Sequence, residues 1–294
     1  MLQTRLWMGT ILVLLTLGML VFDQSLAPWY PFLFIFVLGL SILASKELVE
    51  LLGKSRTLQT PLLYGGVILL VAGNWVVHWQ LTNPLRPWEM LLGTYVALFL
   101  VVFLWEMATF PTDGHGKIAE GGSIERMART LWAIAYVGLL PCFLVQARWL
   151  YGPNQQEHGS VALALLIFVP KSCDVGAYCV GRMFGRHPMT PVLSPKKTWE
   201  GAIGGLLFAA LTAISIDRLG PVSLLRDSLG MEIGFGIAMG VLGMLGDLAE
   251  SLLKRDCRRK DASDVVPGFG GVLDVVDALL FTAPVGYLWL WSLT

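Results

Sequence analysis

Residues 88–105 read WEMLLGTYVALFLVVFLW, an apolar stretch with a tryptophan at each end and Glu89 as its only charged side chain. About 20 such residues in a helix cross the roughly 30 Å of hydrocarbon in a bilayer. Indole rings favour the headgroup level on either side of that layer. Because lipid offers no hydrogen bonds to backbone groups, the stretch is predicted to be a membrane-spanning helix.

The whole chain shares this apolar character. It has 294 residues, of which 55% are hydrophobic and 14% charged, and its mean hydropathy is +0.66. Soluble domains carry roughly 25% charged residues, so this composition predicts a chain solvated largely by lipid. A formal net charge of zero argues against a nucleic-acid partner held by bulk electrostatics. The four cysteines form no C-x-x-C pair and indicate neither a disulfide framework nor a zinc site.

Similar apolar stretches recur along the chain, and they predict an all-α, polytopic integral membrane protein with about nine spans. We treat residues 1–294 as a single membrane domain. The first stretch is interpreted as a span and not as a cleaved leader. The predicted spans are 6–22, 29–45, 62–79, 88–105, 131–150, 161–181, 201–216, 231–250 and 273–293.

The loops between these stretches carry very different charge. Most of the 21 lysines and arginines fall in alternate loops, with the densest groups in 182–200 and 251–272. Loops rich in Lys and Arg stay in the cytoplasm. The N-terminus is therefore predicted to be cytoplasmic, the C-terminus to lie on the other side, and the two most polar loops to share the cytoplasmic face of the cell membrane.

Lys171 and Asp174 are ionisable groups inside the sixth predicted span, beside Pro170. Proline should break or kink the helix at that point. A buried ion pair that only neutralises itself is one interpretation. The alternative is a functional site, which is the usual reason for charge inside a membrane.

Two adjacent lysines, Lys196 and Lys197, stand between Ser194 and Thr198 just before a glycine-containing apolar stretch. Ammonium groups together with the N–H groups of a helix start suit a polyphosphate. A lysine pair next to a span is also typical of a topology signal or a contact with anionic lipid. Both interpretations stay open on these residues alone.

The strongest cluster lies near the C-terminus. Asp247, Glu250 and Lys254 form one stripe on a helix, and Asp274 and Asp277 are three residues apart at the start of the last span. Carboxylates on facing helices make an oxygen-rich cage of the kind that holds Mg²⁺ together with substrate phosphates. No Ser-His-Asp or Cys-His arrangement accompanies them. This inventory favours phosphoryl or nucleotidyl transfer, in which positioning and charge neutralisation dominate.

Taken together, these segments resemble the motifs of the phosphatidate cytidylyltransferases, also called CDP-diacylglycerol synthases. The resemblance runs from Asp174-Val175-Gly176-Ala177-Tyr178 through Ser194-Pro195-Lys196-Lys197-Thr198-Trp199-Glu200-Gly201 and Gly246-Asp247 to Asp274-Val275-Val276-Asp277, while residues 1–169 match in hydropathy only. It implies that 161–294 is the catalytic part and 1–160 a set of N-terminal helices. The implied substrates are CTP and phosphatidate, and the implied ion is Mg²⁺.

The resemblance also implies roles for particular residues. Asp247, Asp274 and Asp277 would bind metal and act in catalysis together with Lys254. The residues implied in substrate binding are Lys171, Asp174, Ser194, Lys196, Lys197, Thr198, Glu250, Arg255, Lys260, Asp261, Gly270 and Gly271. Two departures stand out: Phe269 replaces the family's histidine and Val275 replaces its arginine.

Two other functions are compatible with the same residues. One is a CTP-dependent polyprenol or lipid kinase, which would transfer the γ-phosphoryl group, and the other is a non-catalytic lipid-binding or transport protein. The small-residue run Gly236-Ile237-Ala238-Met239-Gly240 permits close helix packing within the chain or in a homodimer.

Overall fold

The computed structural model describes residues 2–53, 58–79, 86–110, 122–152, 154–259, 262–263, 266 and 270–294. Within these ranges nine helical segments are long and apolar enough to cross a membrane, and each overlaps one predicted span. The prediction of an α-helical, multi-pass membrane protein is confirmed. The helices are α1 (Leu2–Phe22), α2 (Pro31–Leu52), α3 (Thr60–Trp79), α4 (Pro87–Ala108), α5 (Ser123–Ile134), α6 (Leu140–Gln146), α7 (Gln156–Phe184), α8 (Trp199–Leu219), α9 (Leu229–Asp256) and α10 (Val272–Trp291).

Prolines affect two of the spans differently. The fifth span consists of α5, a π-helical turn over Ala135–Leu139, α6 and a short 3₁₀ turn. Pro141 has no N–H to bond the carbonyl four residues earlier, and the wider turn absorbs that missing bond. Pro170 does not break α7, which continues to Phe184.

The described residues form two compact units, 1–33 with 143–294 and 34–142. In the first unit α7 packs against α8, α9 and α10, and α9 packs against α8 and α10. The boundary predicted near residue 160 lies inside α7. In the second unit α3 packs against α4 and α5, and a buried Glu106 pairs with Arg126 and accepts a hydrogen bond from Gln59 at 2.7 Å.

Glycines set the close approach of α8 and α9. A Cβ at Gly236 would lie 2.5 Å from the Cα of Ala210, and one at Gly240 would lie 2.8 Å from the side chain of Leu206. The small-residue pattern on α9 is therefore used inside the chain, where any larger side chain would push the helices apart.

A two-stranded antiparallel hairpin is the only sheet among the described residues, and the sequence did not predict it. It consists of β1 (Pro188–Thr190) and β2 (Ser194–Thr198) and joins α7 to α8. Thr198 ends β2 and caps α8, because its Oγ1 accepts a hydrogen bond from the N–H of Gly201 at 3.2 Å.

A buried polar cluster connects the end of α1 to the start of α7. The Arg148 guanidinium donates to the Gln156 carbonyl at 3.1 Å and to the Ser160 hydroxyl, and its central carbon lies 4.2 Å from the centre of the Tyr30 ring. Gln24 also donates to the Ser160 hydroxyl, at 2.8 Å. Four hydrogen-bonding or cation–π contacts therefore hold three chain segments together at this point.

Candidate metal and phosphate site

Three carboxylates from two helices converge in the first unit. Asp247 and Glu250 lie one turn apart on α9, and Asp277 lies in the second turn of α10. One oxygen of each lies within 4.8 Å of the others. Gly246 makes this possible, since a Cβ at that position would lie 2.5 Å from the carbonyl oxygen of Asp277. We call Asp247, Glu250 and Asp277 the carboxylate trio.

The trio is open on one side only. Glu250 is 1% exposed and Asp277 is buried, whereas the side chain of Asp247 is 35% exposed. Burying a carboxylate is costly unless an opposite charge or hydrogen-bond donors compensate it. Ligands from solvent therefore reach the trio at Asp247, and the two deeper acids need partners from the protein.

Each member of the trio has its own lysine, and each lysine comes from a different element. Lys197 Nζ on β2 lies 2.7 Å from Asp247 Oδ2. Lys254 Nζ on α9 lies 2.5 Å from Glu250 Oε2, and Lys171 Nζ on α7 lies 3.6 Å from Asp277 Oδ1.

Two further acids bind two of these lysines from outside the trio. Asp174 accepts a hydrogen bond from Lys171 at 3.0 Å, and Asp274 accepts one from Lys254 at 2.5 Å. The other oxygen of Asp274 accepts the N–H of Gly271 at 2.7 Å and so caps α10. Asp274 thus lies beside the trio, bound to a lysine and to backbone.

The family resemblance implies a metal at Asp247, Asp274 and Asp277. Among the described residues, the three acids whose carboxylate oxygens lie close to one another are Asp247, Glu250 and Asp277. The same resemblance implies a substrate-binding role for Glu250. Its position three residues after Asp247 on one helix is the sequence signal that pointed to a shared face.

The adjacent lysines of the hairpin point in different directions. Successive side chains of a strand project to opposite faces, so Lys197 reaches Asp247 while Lys196 is exposed. Ser194, at the start of β2, uses its carbonyl to accept a hydrogen bond from Thr190 at 3.4 Å. The lysine pair stands just before the start of α8, as the sequence predicts, but it lies on a strand, whose geometry separates the two ammonium groups.

The remaining predicted site residues surround this centre. Arg255 is exposed and donates to the Leu193 carbonyl at 3.4 Å, which joins α9 to the hairpin turn. Gly270 has φ +101°, and a Cβ there would lie 2.8 Å from Asp274 Oδ2. Lys260 and Asp261 lie outside the described residues, as does Phe269.

The residues present fit a divalent cation. Neither carboxylate oxygen of Glu250 receives a well-directed hydrogen bond from the described residues, although Lys254 is close to one of them. Buried oxygens left in this state are well suited to a metal ligand role. With all groups ionised, the five acids exceed the three lysines by two negative charges, which one divalent ion would balance. Oxygen donors of this kind suit Mg²⁺.

Known proteins resemble this chain over most of its length. The sequence profile of the Cytidylyltransferase family matches residues 3–293, well beyond the stretch from Asp174 to Asp277 that carries the motifs. A phosphatidate cytidylyltransferase of Haemophilus influenzae is 29% identical over 75% of this chain and 85% of its own length. One of Mycobacterium bovis is 33% identical over 76% of this chain and 70% of its own length. One of Staphylococcus haemolyticus is 28% identical over 91% of this chain and 93% of its own length.

Proposed function

Because the chain belongs to the cytidylyltransferase family, we propose that it is a phosphatidate cytidylyltransferase, which converts CTP and phosphatidate into CDP-diacylglycerol and pyrophosphate. The observation that supports this assignment best is the carboxylate trio surrounded by lysines at one end of four packed membrane helices. Such a site can neutralise phosphate charge in two ways. Its carboxylates hold a divalent cation that contacts phosphate oxygens, and its lysines contact phosphate oxygens directly.

In this proposal Asp247, Glu250 and Asp277 hold Mg²⁺. The bound ion would polarise phosphate oxygens of CTP and offset the charge on the departing pyrophosphate. Lys197 and the exposed Lys196 approach from the hairpin and bind phosphate oxygens as point charges. Lys171 and Lys254 orient the two deeper carboxylates, each held in turn by a second acid.

The reaction needs no activated side-chain nucleophile. A phosphate oxygen of phosphatidate is already ionised near neutral pH, because the second pKa of a phosphate monoester is about 6. That oxygen forms a bond to the α-phosphorus of CTP, and the bond from the α-phosphorus to the oxygen that bridges the α- and β-phosphorus atoms breaks, so that this oxygen leaves with pyrophosphate. The task of the protein is to align the two phosphates and to compensate their charge.

We assign the site to the cytoplasmic side of the membrane. The trio lies near the C-terminal end of α9 and the N-terminal end of α10, and Asp247 pairs with Lys197 of the hairpin. The loops at these positions, 185–198 and 257–271, are rich in lysine and arginine. CTP is available on that side, and phosphatidate can reach the site laterally from the lipid.

The test is a product analysis with purified protein, Mg²⁺, phosphatidate and CTP labelled either in the cytosine or in the γ-phosphate. A cytidylyltransferase transfers the cytosine label to a lipid and releases the γ-label as pyrophosphate. Transfer of the γ-label to the lipid would instead identify a CTP-dependent lipid kinase. Absence of any labelled lipid, with CTP binding also absent, would favour a non-catalytic lipid-binding or transport protein.

A further inference from the structure

The three lysines around the carboxylate trio are not equivalent. Lys171 and Lys254 each donate a hydrogen bond to an acid outside the trio, at 3.0 Å to Asp174 and at 2.5 Å to Asp274. These two lysines therefore keep a partner if a cation takes over the trio. Among the described residues, the one ion pair of Lys197 is with Asp247.

The contact of Lys197 is close but poorly directed. Its ammonium nitrogen lies 2.7 Å from Asp247 Oδ2, yet it makes no hydrogen bond of good geometry with a described residue. The nitrogen is also shielded from solvent. A buried ammonium held by charge alone gains free energy when it meets a stronger acceptor, and a phosphate oxygen is such an acceptor.

The position of the Lys197–Asp247 pair favours replacement of the lysine by a metal ion. Asp247 is the most exposed carboxylate of the trio, and Lys197 lies on the short hairpin that connects α7 to α8. A cation entering at Asp247 meets the Lys197 ammonium at the same carboxylate. The two positive charges exclude each other there, so metal binding and the Lys197–Asp247 pair compete.

Resting on the proposed function, we propose that Lys197 is an exchangeable counter-ion of the metal site. Without substrate it neutralises Asp247, and when Mg²⁺ and CTP arrive together it transfers from Asp247 to a phosphate of the nucleotide. Metal and nucleotide then strengthen each other's binding, because the metal frees the lysine that the nucleotide needs and the nucleotide removes the competitor of the metal.

The experiment measures Mn²⁺ binding to the purified full-length protein by the loss of the free-ion spin-resonance signal, with and without CTP and without phosphatidate. For the unmodified protein we expect CTP to raise Mn²⁺ affinity by about 10-fold, within the usual range for coupled sites. Lys197→Met should bind Mn²⁺ several-fold more tightly than the unmodified protein without CTP. CTP should then raise the Mn²⁺ affinity of this variant only slightly.

Arg186→Met is the matched control. It removes the same charge from the same connection between α7 and α8, but Arg186 is exposed and belongs to no ion pair of the described residues. We expect its Mn²⁺ affinity without CTP to equal that of the unmodified protein. If both variants changed Mn²⁺ affinity equally, the change would come from the loss of one positive charge near the site, and the exchange of Lys197 would be refuted.

Lys197→Arg keeps the charge and tests the idea even if the methionine variant folds poorly. A guanidinium binds a carboxylate through two hydrogen bonds, so this variant should hold Asp247 more firmly and weaken Mn²⁺ binding without CTP. Unchanged or weaker Mn²⁺ binding by folded Lys197→Met would overturn the exchange while leaving the proposed function intact. Failure of the unmodified protein to make CDP-lipid would overturn the proposed function instead.

Discussion

Glu250 shows how much a single residue depends on its surroundings. Its carboxylate is 1% exposed, its charge is matched by Lys254, and its oxygens lack directed hydrogen bonds in the described residues. Hydrophobic side chains would pack as well at this depth and at lower cost, so a charge kept there indicates a functional role.

Glu250→Gln should lower kcat at least about 100-fold and raise the Mg²⁺ concentration needed for half-maximal rate, because an amide oxygen is a weaker ligand for a hard cation. Initial rates over a Mg²⁺ titration check this. Glu125→Gln is the control, since Glu125 is an exposed partner of Arg129 on α5 and its loss should leave the rate unchanged. A normal rate for Glu250→Gln would remove this residue from the metal site.

Asp277→Asn and Asp274→Asn should differ in severity. Asp277 belongs to the trio, so its substitution should reduce activity about 100-fold or more. Asp274 pairs with Lys254 and caps α10, and an asparagine keeps the capping oxygen, so about 10-fold is expected there together with a lower Tm. Equal and complete loss in both variants would make Asp274 a metal ligand in its own right, as the sequence predicted.

At the scale of elements, the site depends on the close approach of α9 and α10. Gly246 contacts the backbone of Asp277 and Ala278, so the carboxylates of the two helices are positioned by a contact that only glycine permits. The hairpin has the complementary role, since its alternation points Lys197 toward Asp247. Helix packing thus positions the carboxylates, and the strand positions the Lys197 ammonium.

Gly246→Ala should lower activity by about 10- to 100-fold, because its methyl group must displace backbone 2.5 Å away and shift Asp277 relative to Asp247. Gly234→Ala on the same helix is the control, since its Cβ would make an ordinary contact of 3.7 Å with Trp289. Both variants gain helix propensity equally. Rates and Tm measured in detergent separate lost geometry from lost stability, and equal activity in the two variants would contradict the packing argument.

At the scale of the whole molecule, the first unit has polar clusters at two levels of α7, one at its start and one just past its middle. Ser160 belongs to the Arg148 cluster and Asp174 to the lysine network, and 14 residues of helix separate them by about 21 Å. The first cluster joins helices without contacting the trio. Stability and catalysis are therefore expected to respond to different substitutions.

Arg148→Met should destabilise the protein by roughly 3 kcal/mol, because it removes the charge-assisted hydrogen bonds of the buried guanidinium to the Ser160 hydroxyl and the Gln156 carbonyl and its contact with the Tyr30 ring. The specific activity of the folded fraction should be unchanged. Thermal unfolding in detergent and the rate per folded molecule check the two statements. Arg129→Met removes a surface pair and should cost well under about 1 kcal/mol. An equal loss of unfolding free energy in both variants would show that the Arg148 cluster stabilises the protein no more than a surface ion pair does.

The membrane topology gives a second prediction at this scale. An epitope inserted in the hairpin turn at 191–193 should be reached only from the cytoplasm, and one at the exposed turn of Arg226 and Asp227 only from the other side, because α8 separates them. A C-terminal reporter should lie on the same side as the second epitope. Labelling of both epitopes from one side would contradict the nine-span arrangement.

The amino-acid sequence by itself determined the fold class, the number of spans and the family. The length of an apolar stretch and the aromatic residues at its ends can be read from local composition. Backbone groups in lipid must form hydrogen bonds within the segment, so such a stretch is a helix. The motif residues were also local enough to recognise, from Asp174 to Asp277. Only the tertiary structure decided that Glu250 belongs to the trio and that Asp274 instead pairs with Lys254 and caps α10. It also decided that Lys196 and Lys197 lie on a strand and project to opposite faces. The reason is physical: spacing along a helix fixes which residues share a face, but the partner of each charge depends on how closely neighbouring elements approach, and glycine contacts between helices set that distance.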